Sequence, residues 1–218
     1  MATAAVVYVV DDEEPICDSI ALLLKSVGIE TRTYTDPQKF LSEFDSKAGG
    51  CLIVDVRMPG MSGLELQHEL NRRNSTLPVI FITGHGDVPM AVEAMHAGAS
   101  DFLQKPFKDD DLIRRVQKAL EQNARDRDLL LQREEIQRRW QELTPRERDV
   151  ADRIANGKAN KVVASECGIS ERTVELHRAR ILQKMGVRSL AQLVQLMLAI
   201  RGAPAGEPPA KFGARPKP

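Results

Sequence analysis

The chain is predicted to fold as a doubly wound α/β domain with a five-stranded parallel sheet, followed by a small all-α helix-turn-helix domain. Residues 1–122 alternate short aliphatic runs with helical patterns, whereas residues 143–200 carry helical patterns only. Residues 1–118 hold 12 Lys and Arg against 18 Asp and Glu, and residues 119–218 hold 19 against 13. The net charges of −6 and +6 indicate two domains with different partners, because clustered basic charge is typical of nucleic-acid binding.

Several protein classes are excluded by simple counts. No apolar run approaches the roughly 18 residues of a membrane span, and Met1–Ala5 lacks the basic start of a secretory signal. The three cysteines are far apart and form no CxxC motif, which argues against both a disulfide framework and a zinc site. We therefore expect a cytoplasmic protein with no membrane partner.

The first domain is predicted element by element. The five strands are expected at residues 5–10, 30–34, 51–54, 78–82 and 101–103. The helices are expected at residues 14–27, 36–46, 63–73, 88–98 and 109–122. The first, third and fourth strands are almost continuously aliphatic, which indicates strands buried on both faces by helices. Gly28 and Gly98 stand where helices should end, a position that favours glycine.

The remaining chain divides into a linker, a second domain and a tail. Residues 123–142 contain no Gly or Pro and many charges, and predict a helix that extends out of the first domain. Because its apolar residues do not keep one heptad register, both a solvated linker and a coiled-coil dimer seam stay open. The second domain is expected at residues 143–201, and the Pro-, Gly- and Ala-rich residues 202–218 predict a disordered tail.

Functional groups follow four of the five predicted strands. Asp11 and Asp12 come after the first strand, Asp55 after the third, Thr83 after the fourth and Lys105 after the fifth. In a strand order such as 2-1-3-4-5 these groups share the carboxyl edge of the sheet, where ligands of such sheets bind. Three close carboxylates require a cation, and their oxygen ligands predict Mg²⁺. The Lys and Thr are then left to hold an anion, for which a phosphoryl group on Asp55 is the natural candidate.

Four separate motifs carry a specific resemblance, namely VVDDEE at 9–14, DVRMPGMSG at 55–63, FITGHGD at 81–87 and FLQKPF at 102–107. They closely resemble the receiver domain of bacterial response regulators, which has a flavodoxin-like fold. The resemblance implies that Asp55 is the phosphoryl acceptor. It also implies that Mg²⁺ is held by Asp11, Asp12, the Asp55 carboxylate and the main-chain carbonyl of Arg57.

The same resemblance implies a switch and two partners. Thr83 and Lys105 would contact the phosphoryl oxygens, and Phe102 would be the aromatic residue that changes rotamer. A sensor histidine kinase would supply the phosphoryl group, and a homodimer would form on phosphorylation through the face around helix 88–98 and strand 101–104. Simpler readings stay open, since a turn hydroxyl would explain Thr83 and core packing would explain Phe102. His85 is a further candidate, as a general base.

The second domain has the pattern of a helix-turn-helix. Helices are predicted at residues 145–156, 159–167, 171–186 and 189–200, with a capping box formed by Thr144 and Glu147 at the first. A short helix that ends at Gly168, followed by a longer helix capped by Ser170, is typical of the motif. Residues 158–201 hold eight Lys and Arg against three Asp and Glu, which favours binding to phosphates.

Three segments of this domain, LTPRERDV at 143–150, NKVVA at 160–164 and ISERTVELHRARILQKMGV at 169–187, resemble the LuxR-type DNA-binding domain. The FixJ branch is the most similar, which implies double-stranded promoter DNA as partner and activation of transcription. The candidate DNA contacts are Lys161, Thr173, Glu175, His177, Arg178, Arg180 and Lys184.

The face opposite the predicted core residues Val174, Ile181 and Met185 is expected to carry Glu175, Arg178 and Lys184, with His177 and Arg180 to one side. We expect Arg178 to contact bases and Arg180 to contact a phosphate.

Two of the candidate DNA contacts stay ambiguous. Glu175 could accept a hydrogen bond from a cytosine amino group or pair with a neighbouring arginine, and His177 could contact a phosphate or pack inside the domain.

Two rival functions for the whole chain conflict with its motifs. A constitutive transcription factor with a receiver that takes no phosphoryl group conflicts with the complete acidic, hydroxyl and lysine set. An aspartate-nucleophile phosphatase of the haloacid dehalogenase type requires a DxDxT arrangement, whereas Asp55 is followed by Val-Arg-Met-Pro. The sequence therefore predicts a regulator and not an enzyme.

Overall fold

The computed structural model describes residues 5–46, 48–84 and 88–201, which form two compact units that divide between Asp128 and Leu129. The first unit contains a sheet with helices, and the second contains helices only. Across these residues, no helix combines the length and the apolar character needed to cross a membrane. The tail predicted at 202–218 and the candidate His85 lie outside the described residues.

The sheet of the first unit consists of five parallel strands in the order β2-β1-β3-β4-β5. Their bounds are β1 Val6–Val10, β2 Thr31–Tyr34, β3 Gly50–Asp55, β4 Val79–Thr83 and β5 Asp101–Gln104. Every residue of β1, β3 and β4 is buried. The predicted fold class and strand order are confirmed. The continuous aliphatic runs of β1, β3 and β4 are typical of strands that helices cover on both faces.

Five helices follow the strands of this unit, α1 Glu14–Ser26, α2 Pro37–Glu43, α3 Gly63–Arg72, α4 Val88–His96 and α5 Asp109–Gln141. They create one apolar core on each face of the sheet. One core includes Tyr8, Phe40 and Phe81, and the other is built around aliphatic residues such as Ile53 and Leu24. The rim at the carboxyl ends of the strands therefore rests on two rigid packed layers.

Helix α5 continues through the position where the first domain is predicted to end. The helix predicted at 109–122 and the linker helix predicted to extend out of the first domain form a single helix that runs to Gln141, which confirms the extension. The buried side chain of Asn123 accepts a hydrogen bond from the Gly50 N–H and donates one to the Thr76 carbonyl, both at 3.0 Å. These bonds hold α5 against the sheet one residue beyond the predicted boundary at 122.

The second unit contains α6 Pro145–Ala155, α7 Asn160–Cys167, α8 Glu171–Met185 and α9 Leu190–Arg201. The capping box of Thr144 and Glu147 forms as predicted. The chain turns from α7 to α8 at Gly168, whose φ of 64° favours glycine. Ile136 and Trp140 of α5 pack against the core of this unit, although they precede residue 143, where the second domain is predicted to begin.

Candidate functional sites

The rim of the first unit brings three predicted residues into direct contact. The Lys105 Nζ lies 2.8 Å from Asp11 Oδ2 and 2.9 Å from Asp55 Oδ1. Asp11 is fully buried and Asp55 is 8% exposed. Thr83 is buried at the end of the neighbouring strand, and its carbonyl accepts a 2.7 Å hydrogen bond from the Lys105 N–H. The strand order therefore assembles the carboxylates, the ammonium and the hydroxyl at one edge.

Among the described residues, Lys105 is the one cation that contacts the carboxylates of Asp11 and Asp55. Burial lowers the pKa of Lys105, but hydrogen bonds and charge attraction from Asp11 and Asp55 outweigh this effect and raise its pKa above 10.5. Lys105 is therefore protonated at neutral pH. Two buried carboxylates that share one ammonium form an arrangement in which loss of the cation is costly.

Main-chain groups fix the direction of both carboxylates. The Arg57 N–H donates to Asp55 Oδ2 at 2.7 Å, and the Glu13 N–H donates to Asp11 Oδ1 at 3.0 Å. Helix α3 begins at Gly63, next to the end of β3. Glycine is needed there because a Cβ would collide with the carbonyl oxygen of Asp55. The site is thus held by backbone contacts on both sides of Asp55.

The predicted magnesium ligands are only partly brought together. Asp11 and Asp55 face the same cation, whereas Asp12 is exposed. Within the described part of the chain, no three His, Cys, Asp or Glu side chains are close enough to hold a metal ion. The donor chemistry nevertheless fits Mg²⁺, which binds oxygen and is usually held by one or two protein carboxylates together with several waters.

Phe102 lies on β5 opposite Phe81 of β4 and is half-buried against the core on one face of the sheet. Met90 of α4 packs against the same core, and the Arg57 guanidinium approaches the Met90 sulfur at 3.7 Å. A half-buried aromatic at this position is compatible with both a switch and a packing role.

In the second unit, two predicted DNA contacts are engaged within the protein. The half-buried Arg178 donates from Nη1 to Asn160 Oδ1 at 2.8 Å. Lys184 Nζ lies 2.6 Å from Glu147 Oε2 and 3.3 Å from the Glu142 carbonyl. The expectation that both side chains point away from the core is wrong, since both bond to other residues of the same unit. At about 100° per residue, position 178 lies only about 40° from buried Val174, four residues earlier.

Glu147 is a buried carboxylate at 3% exposure that joins the start of α6 to the end of α8. Burial alone raises its pKa, but the Lys184 hydrogen bond and charge, together with hydrogen bonds from Thr144, lower the pKa below 4.5. The N–H and the hydroxyl of Thr144 contact the same Glu147 oxygen, at 2.8 and 3.1 Å. This network connects two helices through one charge pair.

The outward face of α8 consists of residues that the sequence analysis did not select. Arg172, Leu176, Ala179 and Gln183 are all exposed and follow an i, i+4, i+7, i+11 pattern. This stripe is centred opposite the buried Val174 and Ile181, so the same helical periodicity could have identified it.

The other candidate contacts differ in exposure. Lys161, Glu175 and Arg180 are exposed, whereas Thr173 and His177 are half-buried. The Thr173 hydroxyl shares a 2.8 Å hydrogen bond with Ser170, which caps the helix. The buried Nδ1 of His177 makes no hydrogen bond to any described residue.

Comparison with protein families decides the identity of both units. The response regulator receiver domain matches residues 7–117, and the luxR family of bacterial regulatory proteins matches residues 141–197. The chain belongs to the response regulators. Its second unit is the LuxR-type DNA-binding domain, and the chain is a transcriptional regulator of the FixJ type.

Similar proteins cover almost the whole response regulator. FixJ of Azorhizobium caulinodans is 45% identical over 92% of this chain and 95% of its own, and FixJ of Bradyrhizobium diazoefficiens is 41% identical over 91% and 97%. The response regulator protein TodT of Pseudomonas putida is 39% identical over 88% and 85%.

Among solved structures, response regulator StyR is similar at a TM-score of 0.83, with 42% identity over 89% of this chain and 98% of its own. Full-length FixJ from B. japonicum follows at a TM-score of 0.56, with 39% identity over 93% and 100%.

Proposed function

We propose that this response regulator is a phosphorylation-controlled activator of transcription. Asp55 accepts a phosphoryl group from a cognate sensor histidine kinase, the chain dimerises, and the LuxR-type domain binds double-stranded promoter DNA. The observation that carries the proposal is the contact of Lys105 with both Asp11 and Asp55 at the carboxyl edge of the sheet. In this role the protein is a regulator and does not turn over a free substrate.

Phosphoryl transfer uses the rim residues in distinct roles. A carboxylate oxygen of Asp55 attacks the phosphorus of the kinase phosphohistidine, so that a P–O bond forms while the P–N bond breaks and the imidazole leaves with the electron pair. The Lys105 ammonium, already 2.9 Å from Asp55 Oδ1, compensates the added negative charge. The Thr83 hydroxyl, at the end of the adjacent strand, donates to a phosphoryl oxygen.

Mg²⁺ would be held by Asp11, Asp12, Asp55 and the main-chain carbonyl of Arg57. When bound, it neutralises charge on the phosphoryl oxygens during transfer. Asp11 and Asp55 are supported by their shared contact with one cation, whereas Asp12 and the Arg57 carbonyl rest on the resemblance to receiver domains.

Phosphorylation is transmitted to one face of the first unit. Thr83 and Phe102 act as the switch: Thr83 follows Ile82, which pairs with Asp55, and Phe102 lies on β5, the strand next to β4. Next to them, α4 exposes Val92 and Met95 at 49% and 48%. Apolar exposure on this face supports a homodimer through α4 and β5 once the dianion on Asp55 biases a two-state surface.

For DNA binding, we propose two groups of residues within the predicted set. Lys161, Glu175 and Arg180 are exposed and reach DNA directly, with Thr173 and His177 at the edge of the contact. Arg178 and Lys184 act as positioning residues through Asn160 and Glu147. We place the protein in the cytoplasm, which the three buried free cysteines support.

Phosphoryl acceptance can be tested with acetyl phosphate and Mg²⁺ on the full chain, followed by intact mass measurement. We expect one added phosphoryl group, no addition in Asp55→Asn, and normal addition in Asp18→Asn, which changes an exposed acid of α1. Addition to Asp55→Asn at the wild-type level would show that another residue is the acceptor. Specific binding to duplexes selected from a random pool tests the DNA-binding part separately.

A further inference from the structure

The outward stripe of α8 contains an unusual apolar centre. Leu176 is 51% exposed in the second turn of the helix, and Ala179 follows on the same face. Arg178 and Lys184, which were expected on the outward face, contact Asn160 and Glu147 of the same unit. The face directed away from the core is therefore apolar in its middle.

Cations border this apolar centre. Arg172 lies one turn before Leu176 and Arg180 one turn after it, and both are exposed without a hydrogen bond or ion pair to another described residue. The segment 158–201 has eight Lys and Arg against three Asp and Glu. Such a surface is complementary to a polyanion whose charges flank an apolar feature.

The major groove of DNA offers that combination. On its floor, thymine is the one base of the four that carries a methyl group, at C5, whereas guanine, cytosine and adenine are distinguished there by their hydrogen-bonding atoms. In helix-turn-helix proteins, residues in the N-terminal part of the second helix contact base edges. Leu176 and Ala179 lie in the first three turns of α8, and the small alanine leaves room for close approach.

We infer that Leu176, assisted by Ala179, selects thymine in the DNA target by contact with its C5 methyl, while Arg172 and Arg180 hold flanking phosphates. This inference rests on the DNA-binding function proposed above. It specifies which base is recognised and which residue recognises it. Sequence preference then comes from an apolar contact, and general affinity comes from the two arginines.

Removal of a single methyl group tests the contact without altering the protein. The target is first selected from a random duplex pool with the full-length chain in the presence of Mg²⁺ and beryllofluoride. Each thymine of the selected site is then replaced by uracil, which keeps base pairing and removes only the C5 methyl. Because a homodimer would place one α8 on each half of the target, we expect one sensitive thymine in each half. Its replacement should lower the affinity about fourfold, as for loss of one buried methyl group.

Protein variants connect this penalty to Leu176. In Leu176→Ala, the thymine and uracil duplexes should bind with equal affinity. In Leu22→Ala, which truncates a leucine of α1 that is 71% exposed, the fourfold preference should persist. Thermal unfolding should be the same in both variants and the wild type, because both leucines are exposed.

Each outcome has one meaning. A selected site without thymine, uracil duplexes that bind like thymine duplexes, or an unchanged preference in Leu176→Ala would overturn the thymine contact and leave DNA binding intact. A selection that recovers no preferred sequence would instead overturn the proposed DNA-binding function, and the thymine contact with it.

Discussion

The rim of the receiver domain and the outward face of α8 place charge in opposite ways. At the rim, the buried Asp11 and Asp55 are both bonded to Lys105, whose side chain is largely covered. On α8, Arg172 and Arg180 are exposed, and the apolar Leu176 lies between them on the outward face. The first arrangement suits a site that changes its own charge, since every group responds to the others. The second suits a surface that meets a charged partner.

The largest effect on stability is expected at the rim. Lys105→Met should destabilise the first unit by about 3 kcal/mol in urea denaturation with EDTA, because Asp11 and Asp55 lose their shared cation. Mg²⁺ should restore part of the loss, since oxygen ligands of two carboxylates suit that ion. Lys108→Met, which changes an exposed lysine of the same region, serves as control and should unfold like the wild type. Equal stability of the two variants would contradict the role of Lys105 as the balancing charge.

Substitutions of two cationic residues of α8, Lys184 and Arg180, should have different effects, one on stability and the other on DNA affinity. Lys184→Met should lower the stability of the second unit by about 2 kcal/mol, because it leaves the buried Glu147 without its charged partner. Arg180→Met should leave stability unchanged and reduce affinity for all duplexes, with a shallower salt dependence. Chemical denaturation and binding titrations at two salt concentrations measure both. The assignment fails if Arg180→Met proves the less stable of the pair.

A smaller effect is expected at the contact between α7 and α8. Arg178→Ala should cost about 1 kcal/mol of stability through loss of the hydrogen bond to Asn160. Asn160→Ala should cost a similar amount, and the double variant should lose little more than either single variant. Fully additive losses would mean that the two side chains act independently, and Arg178 would again be available as a direct base contact.

The smallest expected effect is a loss of stability of the second unit at acidic pH. The pKa of Glu147 is lowered in the folded state, so its contribution is present above the ordinary value of 4.5 and is lost as pH falls through the folded pKa. Stability of the second unit should therefore decline below about pH 4.5 more steeply in the wild type than in Glu147→Gln. Denaturation midpoints measured at about pH 3.5, 4.5 and 6, on both sides of that ordinary value, give the slope. Parallel slopes would exclude Glu147 as the titrating group.

The rim was predictable because sequence position and topology coincide there. Each strand is an aliphatic run with a functional residue at its carboxyl end, so the strand order alone brings Asp11, Asp55 and Lys105 to one edge. The roles of Thr83 and Phe102 stay predictions, as do the magnesium ligands.

Other features depend on contacts that no local pattern contains. Asn123 looks like an ordinary polar helix residue, yet it bonds to main-chain groups of Gly50 and Thr76. The pair of Glu147 and Lys184 likewise joins residues that are 37 positions apart. The outward stripe of α8 differs, because a strict count of about 100° per residue from Val174 already points to Leu176 and Ala179.

The single helix α5 determines where this regulator can be recombined with others. Its first half contributes Leu112, Val116 and Asn123 to the receiver domain, and its end contributes Ile136 and Trp140 to the DNA-binding domain. A hybrid regulator joined at residue 143 would separate Ile136 and Trp140 from the core they complete. A junction between Asp128 and Leu129 keeps each set with its own parent, so exchange of sensing and output modules is best made inside a helix and not in a loop.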